Sequence, residues 1–131
     1  MLATRWTLRR RLDFQEVTRR IVGFRDGRIL VDTDHAVAYK TKTDQPIYFI
    51  QSQCLRKQML RGVTEAVNAA GLGLCQPYYL SRRSSHELPI ASLIIAARPD
   101  LAFLDGTFLV DPMGFDRFAE LEELDTRHLN R

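Results

Sequence analysis

Lysine is scarce in this sequence, with three residues among 131 against sixteen arginines. Cysteine is scarcer still. Cys54 and Cys75 are too few for a disulfide scaffold, and neither lies in the close Cys/His clustering that a zinc site needs. No apolar run approaches the roughly 20 residues of a membrane helix. The opening residues Met1 to Trp6 lack the basic-then-apolar layout of a secretory leader, so a cytoplasmic protein without membrane association is the expectation. A glycine-rich phosphate loop is also missing. Gly71-x-Gly73 follows a stretch with helical patterning, whereas a dinucleotide fingerprint follows a strand and opens a helix, so no cofactor is expected. There is no internal repeat, low-complexity tract or long linker, and residues 1–131 read as one domain of ordinary size.

What is present is enough apolar material for a core, at 45% of residues, and an uneven distribution of charge. Residues 1–31 hold eight arginines (Arg5, Arg9, Arg10, Arg11, Arg19, Arg20, Arg25 and Arg28) against three acids. Residues 111–125 hold six acids against Arg117 alone. Arginine presents a planar fork suited to phosphate, and a basic patch concentrates polyanions near a surface. The competing use of such a pattern is mutual neutralisation of the two ends.

Along the chain, residues 4–12 read as a strand. Asp13 and Glu16 have capping-box spacing, but the pattern from Arg19 to Val31 favours a hairpin turned at Asp26-Gly27. Residues 36–40 and 47–50 read as strands, the second so uniformly apolar that it should be covered on both faces. Leu55, Met59, Leu60, Val63, Ala66, Val67 and Ala70 recur at helical spacing. Ser52 stands before them and Gly71 after, where caps are expected, and a long central helix over about 53–70 follows. Residues 74–80 read as a strand edged or interrupted by Pro77. Residues 87–97 read as a short helix begun by a capping box at Ser84 and Glu87. Residues 101–110 read as a second hairpin turned at Asp105-Gly106, and residues 116–128 as a C-terminal helix capped by Asp116. The expected fold is α+β, one mixed and largely antiparallel sheet with the 53–70 and 116–128 helices packed on it.

An apolar strand, a polar tripeptide, a long helix and a further strand over about residues 32–80 resemble the half-core of restriction-endonuclease-like nucleases. Asp32 or Asp34 stands where that family has its first acid. The tripeptide Gln51-Ser52-Gln53 replaces the family's acid-x-Lys, and it lacks the anionic oxygen that a hard divalent cation needs. The resemblance implies a degenerate core that binds nucleic acid without cutting it.

Other candidate sites each have a plainer use. Asp32, Asp34 and His35 have metal-ligand chemistry but are also ordinary turn residues, and no metal is expected. Cys54, at the start of the 53–70 helix, would sit where the dipole favours a reactive thiolate, with His86 and Asp111 as conceivable base and orienter. No spacing rule supports that triad. Arg82 to His86 form a basic, hydroxyl-rich loop. Trp6, Tyr48, Tyr78 and Tyr79 are candidates for base stacking or for cross-strand packing.

The function expected from these residues is a small, non-catalytic nucleic-acid-binding module. Its contacts to phosphate would come from Arg5, Arg9, Arg11, Arg19, Arg20, Arg25, Arg28, Arg56, Lys57, Arg61, Arg82 and Arg83. Two alternatives stand beside it. One is a protein-interaction or assembly subunit, such as a homodimer joined by its basic and acidic ends. The other is a small hydrolase or nuclease.

Overall fold

Asp26 and Gly27 have backbone φ angles of +54° and +74°, the left-handed pair that a tight two-residue turn requires. In this computed structural model, which describes residues 14–40, 45–69, 71–81 and 88–121, that turn joins β2 (Ile21–Arg25) to β3 (Arg28–Thr33). The hairpin expected from the sequence is therefore present. The remaining strands are β1 (Phe14–Val17), β4 (Ala36–Tyr39), β5 (Ile47–Gln51), β6 (Leu60–Gly62), β7 (Val67–Ala69), β8 (Gly73–Leu80), β9 (Ala91–Ala97), β10 (Thr107–Val110) and β11 (Arg117–Glu120).

Two antiparallel sheets result. The larger runs β1-β4-β5-β10-β9-β8-β6, with β7 pairing β8 on the same side as β6. The smaller runs β11-β2-β3. Pairing of β5 with β10, in register from Gln51–Thr107 to Tyr48–Val110, joins the two halves of the chain at the centre of the larger sheet. The sheets share a core. Ile21, Leu30 and Val31 from the smaller sheet pack with Ala38, Tyr48, Ile50, Phe108 and Val110 from the larger one. The opposite face of the larger sheet has its own core of Phe49, Cys75 and Ile94, covered by Leu101 and Leu104 from the 3-10 segment Pro99–Leu104. β5 is thus covered on both faces. Tyr48 and Ile50 point one way and Phe49 the other, as alternation along a strand requires.

The expected α+β fold is corrected to an almost all-β one. Among the described residues 56% are strand and 15% helical, and no helix reaches seven residues. Every strand pairing described is antiparallel, so the sheet is not mixed. In place of a helix over 53–70 the chain forms two 3-10 turns (Ser52–Cys54 and Lys57–Met59) and then β6 and β7. Among the described residues of the supposed stripe only Leu55 and Met59 are buried, while Val67 is 49% exposed. Their helical spacing has no packing consequence. Gly62 explains part of this, because glycine weakens a helix and here lets β6 approach β8 closely. A Cβ at Gly62 would lie 2.8 Å from the Tyr78 ring. Gly71 does adopt positive φ, at +77°, but it turns β7 into β8 instead of ending a helix.

The expected helix over 87–97 is replaced, in its described part, by β9. The run Ile90 to Ala97 is a short apolar segment, for which periodicity does not distinguish strand from helix, and its strand neighbours decide. The expected helix over 116–128 begins instead with β11, which pairs β2 from Arg117–Phe24 to Glu120–Ile21. The Asp116 carboxylate accepts from Asp26 N–H at 2.7 Å and so does not cap a helix. Residues 122–128, like the expected strand at 4–12, lie outside the described residues. The Asp105-Gly106 turn is present, but β10 pairs β9 and β5 instead of residues 101–104, because residues 99–104 form the 3-10 cover. Pro77 is tolerated inside β8, where Val63 N–H donates to its carbonyl at 3.2 Å.

Candidate polyanion-binding surface

The arginines of β2 and the residues just before it are largely engaged. Arg19 lies 3.3 Å from Glu120, on the strand that pairs with β2. Arg20 donates to both oxygens of Asp32 across the β2–β3 hairpin, at 3.1 and 3.0 Å. That bidentate bond and the carboxylate's charge raise the pKa of Arg20 further. Arg25 donates to the Gly114 carbonyl, with its Nε 3.8 Å from Asp26 and 3.9 Å from Asp116. The basic and acidic parts of the sequence therefore meet within one chain. Arg19, Arg20 and Arg25, expected to contact phosphate, each lie within ion-pair distance of a carboxylate.

A second group of cations has no such partner. No ion pair links Arg28, Arg56 or Lys57 to a carboxylate among the described residues. All three are exposed. The fold brings them together because the 52–59 segment runs along the edge of the smaller sheet. Val31 and Leu55 form an antiparallel bridge, and Arg56 N–H donates to Leu30 O at 2.8 Å. Two adjoining clefts open there and share Gln58. One, of about 180 Å³, is lined by Asp26, Arg28, Gln58, Met59, Leu80 and Ser81. The other, of about 290 Å³, includes Arg56, Gln53, Leu55 and Asp32. The two carboxylates at these clefts, Asp26 and Asp32, are held by Arg25 and Arg20. Ser81 N–H donates to Met59 O at 2.9 Å, which brings the chain to the cleft's rim one residue before Arg82 and Arg83. Those two, with Arg5, Arg9 and Arg11, lie outside the described residues.

Arg61 belongs to the edge strand β6, and its guanidinium sits 5.5 Å from the centre of the Tyr79 ring. Of the other aromatic candidates, Tyr48 is buried and donates to Glu120 at 2.8 Å. Burial first, and that bond second, push its pKa up. Tyr78 packs edge-on against Phe108. Trp6 lies outside the described residues. The sequence did not single out Arg117, whose guanidinium covers Phe24 at 5.7 Å. Cross-strand Arg–aromatic pairing follows from register, and single-strand patterns do not reveal register.

The hydrolytic candidates do not assemble. Asp32 is bound by Arg20, His35 Nε2 lies 3.4 Å from Glu16, and Thr33 Oγ bonds within its own turn. No three His, Cys, Asp or Glu residues among the described ones are grouped to hold a metal. Cys54 sits in a three-residue 3-10 turn, without the long helix that was to activate it. Asp111 accepts from Met113 N–H at 2.9 Å, and His86 lies outside the described residues. Cys75 is buried, which pushes its thiol pKa up. The strand–helix–strand unit behind the nuclease resemblance is replaced by strand, turns and strands. No helix among the described residues is long and apolar enough to cross a membrane.

No protein-family model and no curated protein matches the chain.

Proposed function

We propose that this protein is a non-catalytic nucleic-acid-binding module that holds the phosphate backbone at the clefts around Gln58. The observation that supports this reading is the sorting of its cations. Arg19, Arg20 and Arg25 have carboxylate partners, whereas Arg28 and Arg56 line adjoining clefts whose two carboxylates already have arginine partners, with Lys57 next to Arg56 in the chain. Backbone contacts of this kind give affinity without sequence choice and weaken steeply with salt.

Fluorescence anisotropy with labelled single-stranded and duplex oligonucleotides tests the reading. Binding is expected at about 50 mM salt, with a loss of at least tenfold by about 200 mM, for a few neutralised phosphates. Absence of binding to every oligonucleotide at the lower salt overturns it.

A further inference from the structure

We infer that the nucleic acid taken by this surface is single-stranded, running from the clefts lined by Arg28 and Arg56 around the β6 edge to a stacking platform formed by Arg61 and Tyr79. This inference rests on the proposed function and adds the class of ligand. Alternation along β8 carries the first step. Tyr78 and Leu80 point into the core between the two sheets, so Tyr79 points to the opposite face of the larger sheet. Its cross-strand partner Arg61 points the same way, flanked by Leu60, which packs against the inter-sheet core. The phosphate clefts, lined by Met59, Leu80 and Arg28, open on the side of the smaller sheet. The cationic clefts and the platform therefore lie on opposite faces of one sheet, joined only around its edge.

β6 is that edge, and it is three residues long. Consecutive residues on it, Leu60 and Arg61, point to opposite faces, and Met59 just before them lines the cleft. A flexible strand can bend round such a rim, but a duplex, with its long persistence length, cannot. The chemistry of the platform agrees. Arg61 is exposed, and its guanidinium already lies over the Tyr79 ring. A base can stack on the outer side of that plane, and such stacking is how unpaired bases are held without sequence choice.

The test compares the full chain's affinity for a labelled oligothymidine and for a duplex of equal length, with Tyr79→Ala and Tyr79→Phe beside the parent. A 2-aminopurine probe in the single strand reports stacking directly, and circular dichroism checks that each variant is folded. Should Tyr79→Ala not fold, Arg61→Ala is read in its place. The single strand is expected to bind at least tenfold tighter than the duplex, with 2-aminopurine fluorescence quenched on binding. Tyr79→Ala is expected to weaken single-strand binding roughly tenfold and leave duplex binding unchanged, while Tyr79→Phe keeps the parent affinity. Equal affinity for both forms, or a folded Tyr79→Ala with undiminished single-strand binding, overturns the inference while the phosphate-binding reading stands. No binding to either form removes that reading as well.

Discussion

Arg20 gives two hydrogen bonds to Asp32, and Arg19 leans on Glu120. A phosphate arriving at either would have to displace a carboxylate already in place. Arg28 and Arg56 have no such competitor among the described residues, so exchange of their condensed water for phosphate oxygen meets less opposition. Arg56→Gln is therefore expected to weaken oligonucleotide binding several-fold and to reduce the slope of log K against log salt by about one, as read by an anisotropy titration. An unchanged slope would show that Arg56 makes no phosphate contact. Tyr48 supports a different prediction. Its pKa is raised in the folded chain, while the unfolded chain releases the same proton near pH 10. The stabilisation is thus complete below about pH 10 and declines as pH rises further, since only the unfolded state then gains from ionisation. Tyr48→Phe is expected to cost about 1.5 kcal/mol at neutral pH through the lost bond to charged Glu120. Its melting temperature should fall less steeply than the parent's between pH 9 and 11, and parallel curves would contradict this account.

Among the elements, the β7–β8 turn depends most on one residue. Gly73 has a φ of +130°, and an added Cβ would meet the Ala96 carbonyl on β9. Gly73→Ala is expected to destabilise the fold by about 2 kcal/mol or more, measured as a shift in the urea midpoint. A shift near zero would mean that β8 and β9 separate there without cost. The elements legible in the sequence were those marked by turn chemistry or by dense apolar runs. Asp26-Gly27 gave the first hairpin, and Ile47 to Ile50 gave the doubly covered strand. The elements that were missed depend on partners far along the chain. Phe118 and Leu121 have helical spacing, yet residues 117–120 extend because β2 offers them an open edge and Tyr48 offers Phe118 a ring at 5.0 Å. Leu55 and Met59 likewise mimic one helical turn. They are buried instead by two 3-10 turns on the smaller sheet's edge. The candidate site was half legible for the same reason. The sequence showed the surplus of arginine, but only the pairing of β2 with β3 and β11 reveals which arginines have carboxylate partners.

At the scale of the molecule, the β5–β10 pairing joins residues near 50 to residues near 108. Such non-local closure is slow, so refolding from urea in a stopped-flow instrument is expected in milliseconds to seconds, and a refolding time below a millisecond would contradict the topology. The same closure divides the charge. It folds acids from the far part of the chain onto Arg19 and Arg25 and leaves another set of cations outward. The most direct measurement of that division compares two multiple variants in one salt titration with a single-stranded oligonucleotide. Arg28→Gln/Arg56→Gln/Lys57→Gln removes three unpaired positive charges, and Arg20→Gln/Asp32→Asn removes a paired one together with its partner. The first is expected to reduce binding at about 50 mM salt by at least tenfold and to flatten the salt dependence, while the second stays within about twofold of the parent. Equal losses in both variants, or a larger loss in the second, would contradict the account.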